Sequence, residues 1–338
     1  MADPETPDHP VAEPRSPARI VAELSRAHIA ARCLHVAASF GVADAIGEEP
    51  LDPRAIASRT GLDADALRRI LRLLAAHGVF EERADGYAHN AASRLLRSDH
   101  PESMGSYVRM GGMPAFWGPY TELEKTVQTG LPSRDWRALL DYFEEHRDEA
   151  EIFNAAMVAK SRAVLPAVVD AYDFDRFDVI ADIGGGRGHL LAAVLERARR
   201  ARGILFDLPN VVAEVSSARS PRLEIAAGDF FADAPPSADL YVLMDLLHDW
   251  RDDDAARILA SVRRAAPPHA RVLIIETLVP EASGPHFGKT LDVIMLAVTG
   301  GRERSRTEYA ALLERSGLRL ERVLPTRSEY SIVEALAV

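Results

Sequence analysis

The chain has 338 residues, of which 47% are hydrophobic and 27% charged, and its 40 Lys+Arg against 51 Asp+Glu give a formal net charge of −11. That length suits two domains, and the composition excludes a disordered or collagen-like chain. The acidic balance disfavours nucleic-acid binding across the whole surface, and the single cysteine, Cys33, can neither close an internal disulfide nor begin a cysteine zinc cage.

Residues 1–17 place Pro4, Pro7, Pro10, Pro14 and Pro17 among Asp, Glu and Ser, which reads as a disordered tail and not as the apolar core of a signal peptide. No apolar run approaches the roughly 20 residues that span a bilayer, so the chain reads as a soluble cytoplasmic protein that makes no membrane contact. Over 18–46, Ile20, Leu24, Ala27, Ile29, Leu34 and Phe40 recur at helical spacing. So apolar a helix is ill suited to the surface of a solvated monomer, and a homodimer is expected. Residues 51–90 read as short helix, turn, helix and a hairpin about Asp85-Gly86, a winged-helix pattern. In that stretch Arg54, Arg59, Arg68, Arg69, Arg72 and Arg83 are matched by Asp52, Asp63, Asp65, Glu81, Glu82 and Asp85. A DNA-binding module needs a basic surplus, so a ligand-responsive DNA-binding regulator is the weaker reading. Two helical blocks follow, near 105–130 and 135–170.

From about residue 175 the texture changes to short Val/Ile/Leu-rich runs alternating with helical segments, the pattern of a doubly wound α/β domain with its sheet covered on both faces. Strands are predicted at 179–183, 203–208, 223–230, 239–244, 271–277, 318–324 and 330–338. Only a short loop separates the last two, so they must pair antiparallel.

The first strand runs into DIGGGRGHLL, where glycines let backbone amides approach a ligand at the N-terminus of the next helix. Gly184, Gly186 and Gly188 are followed by His189 where a dinucleotide fingerprint has its third glycine, and no P-loop Lys-Ser/Thr is present. A nucleoside without pyrophosphate is therefore favoured. Asp207, ending the second strand, can accept from both hydroxyls of a ribose; Asp229 and Phe230, closing the third, offer an acceptor for an exocyclic amine and a wall for a purine. The fourth strand leads to LLHDWRDDDAARIL, with His248, Asp249 and Trp250 beyond the sheet's C-terminal edge. An imidazole there can take a proton from a hydroxyl of pKa near 10 as that hydroxyl attacks. The simplest alternative for His248 is a cap before the solvated acidic run Asp252-Asp253-Asp254.

DIGGGRG, FDLP, GDFF, LLHDWRDDDAARIL, IIETLVP and LDVIMLAVTGGRERSRTEYAALLERSGL, in that order, resemble the S-adenosylmethionine-dependent small-molecule O-methyltransferases of the plant caffeate/isoflavone and bacterial antibiotic-tailoring types. The resemblance runs from about residue 18 to the end. After the tail at 1–17, it implies a winged-helix dimerisation domain (18–100), a helical linker contributing to the substrate pocket (101–170) and a seven-stranded class I methyltransferase domain (171–338). It makes His248 the general base, with Glu276 and Glu303 holding or polarising the imidazole. Around S-adenosylmethionine it implies Gly184 and Gly186 at the methionine moiety, Ser161 at its carboxylate, Asp207 at the ribose, and Asp229 with Phe230 at the adenine. Met244 stands where plant members carry a Lys, which removes an adenine contact on that side. Phe116, Trp117, Met157, Asp249, Trp250 and Met295 are the candidates for a pocket taking a flat aromatic or polyketide-like acceptor. The chemistry implied is metal-free transfer of a methyl group to a hydroxyl, in secondary metabolism such as antibiotic biosynthesis. N-methylation of a heteroaromatic ring is the alternative within the same class.

Overall fold

The structure is a computed structural model that describes residues 16–213, 215 and 220–338; the expected tail lies outside them except for Ser16 and Pro17. The chain divides after Arg109 into two compact units, residues 1–109 and 110–338.

In the first unit the predicted single helix over 18–46 is two helices, α1 (Pro17–Ser39) and α2 (Val42–Ala45). Gly41 between them adopts φ 61°, a left-handed turn that interrupts the helical ladder. Pro17, assigned to the tail, is the first helical residue of α1, and the Ser16 hydroxyl accepts from the Arg19 amide as its cap. Then come α3 (Pro53–Thr60), α4 (Ala64–Ala76), the hairpin β1 (Phe80–Arg83) and β2 (Gly86–His89), and α5 (Ala91–Arg94). The hairpin turns at Ala84-Asp85, one residue before the expected Asp85-Gly86, because Gly86 already pairs with Arg83 as the first residue of β2. Ile56, Leu67, Leu71, Leu74, Phe80 and Tyr87 form the core of this unit. On α1, Ile20, Val21, Leu24 and Ile29 stay exposed.

Helix α6 (Gly105–Gly112) crosses the division between the units, and the second unit continues with α7 (Pro114–Tyr120), α8 (Leu123–Thr129), α9 (Trp136–Glu145) and α10 (Arg147–Ala171). The two predicted helical blocks are thus five helices. Pro114 fixes a new start after Met113, and Asp135, whose carboxylate accepts from Ala138, caps α9. By length and composition α10 does suffice to cross a membrane, contrary to expectation. Leu165, Val168 and Val169 nevertheless bury its C-terminal half against the sheet.

The α/β portion contains β3 (Val179–Ile183), α11 (His189–Arg197), β4 (Arg202–Asp207), α12 (Pro209–Val212), β5 (Leu223–Ala227), β6 (Leu240–Met244), α13 (Asp252–Ala265), β7 (Arg271–Glu276), α14 (Phe287–Val298), α15 (Arg306–Arg315), β8 (Leu318–Pro325) and β9 (Ser331–Ala337). The sheet order is β5-β4-β3-β6-β7-β9-β8. The five strands from β5 to β7 are parallel, and β9 pairs antiparallel with both β7 and β8, as the short connection requires. Having stepped outward through β4 and β5, the chain returns to place β6 beside β3, so the order reverses between these two strands. Ligands of open α/β sheets bind at the carboxyl ends flanking such a reversal.

Candidate active site

The glycine turn after β3 is built by crowding below and openness above. Gly184 (φ 65°) and Gly186 (φ 57°) hold left-handed backbone. A Cβ on Gly185 would stand 2.5 Å from the Asp182 carboxylate and 2.6 Å from Leu205, whereas one on Gly186 would meet nothing within 4 Å. The Gly186 amide donates to Asp207 Oδ2 (2.8 Å) and the Leu208 amide to Oδ1 (2.7 Å). A carboxylate has about four acceptor positions, so Asp207 keeps capacity for hydroxyls. Beneath the turn, the two Asp182 oxygens find no hydrogen-bond partner of ordinary geometry among the described residues. Burial first and Asp207 second push the Asp182 carboxyl up to about 7, the Leu191 amide opposing weakly. An open cradle edged by an acceptor at the ribose position fits a nucleoside with an amino-acid tail. Asp229 uses Oδ1 on the Phe231 amide (2.8 Å), so part of it serves the local turn. Phe230 and Phe231 meet Trp250 edge-on at 6.1 and 4.8 Å between centroids, so Trp250 packs against the aromatic pair that follows β5.

Across the strand reversal, Leu246 fills the space a Cβ on Gly184 would need, and two residues on His248 lies in a short 3₁₀ turn (Leu247–Asp249), 5% exposed. It caps nothing: α13 starts later, after Arg251. Glu303 Oε1 stands 2.7 Å from His248 Nδ1. A carboxylate only accepts, so Nδ1 carries a proton and Nε2 is the nitrogen free of that bond. Nε2 lies 3.9 Å from Asp249 Oδ1 and 4.0 Å from Asp245 Oδ1. Burial opposes charge on the ring. Asp249, then Glu303 and Glu276, outweigh it and push the imidazole up to about 10. Burial likewise raises the Asp249 carboxyl to about 7.

Glu276, expected to hold or polarise the imidazole, acts on the ring by its charge and makes its bonds to the backbone instead. Its Oε1 accepts from the amides of Leu246 (3.2 Å), Leu247 (2.7 Å) and His248 (3.1 Å), and Oε2 takes the Tyr309 hydroxyl. Glu276 is fully buried. A lone buried carboxylate would cost several kcal/mol, and charge-assisted bonds of about 1.5–3 kcal/mol each offset that only because four donors converge. It orients the backbone that carries His248, and of the two carboxylates only Glu303 hydrogen-bonds the ring.

Sequence reasoning missed Arg304, a 1%-exposed guanidinium that donates to the carbonyls of Leu247 (2.9 Å) and Trp250 (2.8 Å) and to Asp252 Oδ1 (3.0 Å). Asp252 is therefore an anchor, not simply a solvated helix start. The Arg302 amide donates to the His248 carbonyl (2.8 Å), and a Cβ on Gly301 would collide with that carbonyl. GGRER thus wraps the His248 turn with no room for a side chain at its second position. Alternation of Glu and Arg there was a visible signal; its target was not.

Asp245, also missed, has φ 50°, the one non-glycine residue of positive φ among the described residues, a conformation costing about 1–2 kcal/mol. Its carboxylate takes the Tyr330 hydroxyl (2.7 Å to Oδ1) and the Lys160 ammonium (3.0 Å). Ser161 follows Lys160 on α10 and is half-buried, as is Met157 one turn earlier. Phe116 on α7 stacks on Phe153 (6.0 Å) and Phe153 on Phe143 (5.0 Å), while Trp117 meets Tyr120 edge-on. Helix α7 packs on α14, where Met295 is buried. Among the described residues, no three His, Cys, Asp or Glu side chains assemble as a metal site.

Residues 120–319 match the O-methyltransferase domain family, and residues 22–99 match the O-methyltransferase dimerisation domain. The chain is 40% identical over 311 residues to the phenazine O-methyltransferase PhzM of Lysobacter antibioticus, covering 89% of this chain and 91% of that one. It is 38% identical over 334 residues to the mitomycin biosynthesis 6-O-methyltransferase of Streptomyces lavendulae, covering 95% of each. The solved structure of CalO1, a methyltransferase in calicheamicin biosynthesis bound to S-adenosylhomocysteine, superposes with a TM-score of 0.85 at 34% identity over 95% of this chain and 98% of that one. With a glycine cradle on one side of the strand reversal and a carboxylate-held imidazole on the other, likeness over nearly the whole length places the chain in the O-methyltransferase family, as an S-adenosylmethionine-dependent enzyme.

Proposed function

We propose that His248 is the general base of a methyl transfer to the hydroxyl of an aromatic or polyketide-like small molecule. The observation that carries this is the 2.7 Å contact from Glu303 to Nδ1 of a buried imidazole just beyond the carboxyl end of β6, which leaves Nε2 without that bond. S-adenosylmethionine supplies an activated methyl on a sulfonium, so the chain's own residues have only to hold the acceptor in line and take its proton. With the acceptor's proton taken on Nε2, the methyl's bond to sulfur would break as its bond to oxygen forms, leaving S-adenosylhomocysteine, and the imidazolium would rest beside Glu303 and Asp249. An imidazole pushed up to about 10 is basic enough to take the proton of a phenol of pKa near 10. In the resting protein the same elevation keeps the ring protonated at neutral pH. Turnover then rises with pH as the neutral imidazole becomes available.

Gly184 and Gly186 serve the methionine end, Ser161 its carboxylate, Asp207 the ribose, and Asp229 with Phe230 the adenine. Trp250 supports that wall. For the acceptor we assign Phe116, Trp117, Met157, Met295 and Asp249. Residues 171–338 bind the cofactor, 101–170 contribute to the acceptor pocket, and 18–100 join two copies. The exposed Ile20, Val21, Leu24 and Ile29 of α1 supply an apolar face for that homodimer, and a stable monomer by sedimentation would refute it. A cytoplasmic setting accords with the single cysteine, Cys33. The test of the reaction is incubation with methyl-labelled S-adenosylmethionine and a panel of phenolic, quinonoid and polyketide acceptors, the product methyl being located by mass spectrometry and NMR. Label on oxygen supports the proposal; label only on nitrogen overturns it.

A further inference from the structure

We infer that Asp245, clamped by Lys160 and Tyr330, is a positioning residue that sets the charge facing His248 Nε2 and thereby the pH at which the imidazole takes up its proton. The inference rests on the reading of His248 as the base but is tested apart from it.

The three residues come from distant parts of the chain: Lys160 from α10, Asp245 from the end of β6, and Tyr330 from the turn before β9. They meet at one carboxylate. The Tyr330 hydroxyl donates to both Asp245 oxygens (2.7 and 3.0 Å), and Lys160 Nζ stands 3.0 Å from Oδ1 and 5.6 Å from the Tyr330 ring centre. Oδ1 is also the atom 4.0 Å from His248 Nε2. That gap is too long for a hydrogen bond, yet short enough for the charge to be felt in a buried setting. Both the carboxylate and its ammonium partner therefore act on the nitrogen that receives the proton. Asp245 pulls the proton on, and Lys160 partly cancels that pull.

Nothing about the backbone requires the arrangement, because a glycine would adopt φ 50° more readily than aspartate. A side chain is retained in a left-handed position, and it ends on two ordered partners. Burial works against charge on Asp245, while Lys160 foremost and His248 next hold the carboxyl below its usual range, so it faces the ring as an anion. The other groups around the imidazole are Glu303 on Nδ1, Asp249 in its own turn, and Glu276 at the end of β7, the last shared with Tyr309 and Arg304. Among the described residues none of these hydrogen-bonds Lys160, although Asp249 feels the charges of both Asp245 and Lys160. The Asp245–Lys160 pair can therefore be altered without removing a bond made by the imidazole.

The test uses Asp245→Asn, Lys160→Met and the double variant in the full-length protein. Asparagine keeps the size of the side chain and tolerates the left-handed backbone. The readout is the NMR titration midpoint of the His248 ring, assigned by its loss in His248→Ala, together with the acid limb of kcat/KM. Asp245→Asn is expected to lower the midpoint by about one pH unit, Lys160→Met to raise it by a similar amount, and the double variant to fall between. A brace without electrostatic effect would leave the midpoint in place or move both single variants the same way, and either result overturns the inference. Since the midpoint is read without turnover, opposite shifts accompanied by an unmoved acid limb would support the coupling while removing His248 from the role of base.

Discussion

The two sides of the strand reversal are built on opposite principles. On the cofactor side, one hairpin-tight turn carries nearly all the information: Gly184, Gly185 and Gly186 lie together in sequence, and Asp207 reaches back to the Gly186 amide. On the imidazole side, His248 is held by Glu303 through its ring, by Glu276 through its amide, and by Arg302 through its carbonyl. Local backbone shape makes the first, and buried charges from distant segments make the second. Damage to the first should therefore weaken binding, whereas damage to the second should slow chemistry or loosen the fold according to which carboxylate is touched.

The comparison breaks if the largest effect fails to appear. His248→Ala is expected to lower turnover by about 10²–10⁴-fold while leaving the affinity for S-adenosylmethionine within about twofold, as measured by steady-state kinetics and calorimetry. Glu303→Gln comes next. Loss of a charged partner worth about 1.5–3 kcal/mol should lower turnover by roughly 10–100-fold, with the urea midpoint little changed. Asp207→Ala sharpens the contrast from the other side: affinity for the cofactor should drop by about 10-fold or more, and turnover at saturation should survive. Glu276→Gln should do neither. Turning an amide N–H toward donors from Leu246, Leu247 and His248 is expected to cost about 1–3 kcal/mol of stability, seen as a lower urea midpoint, before any effect on affinity. If Glu276→Gln slowed turnover as severely as Glu303→Gln at unchanged stability, the division of labour between the two carboxylates would be wrong.

The strands were legible because buried parallel strands are continuous apolar runs bounded by glycine or a charge, and each predicted strand overlaps an observed one with ends shifted by a few residues at most. The glycine turn was legible for the same reason: it is local. Helix breaks were not, since Gly41 and Met113-Pro114 interrupt a periodicity that continues on either side. In the site, the positions of His248 and Glu303 followed from resemblance, but the partner of Glu276 did not. Three backbone amides leave no mark in the sequence. Arg304 and the Lys160–Asp245–Tyr330 cluster were hidden for a related reason: each joins residues whose separation along the chain carries no period, and only packing brings them together.

The most direct measurement is the pH dependence of kcat/KM for wild type and His248→Ala with one phenolic acceptor. With the imidazole held near 10, wild-type kcat/KM should climb about tenfold per pH unit from neutral toward that value, because the charged ring must shed its proton before it can accept another. In His248→Ala most of the activity should be lost at neutral pH, and any climb that remains is the acceptor's own ionisation near pKa 10. A wild-type profile that stays flat over this range, or an alanine variant that keeps the wild-type kcat/KM at neutral pH, would contradict the account.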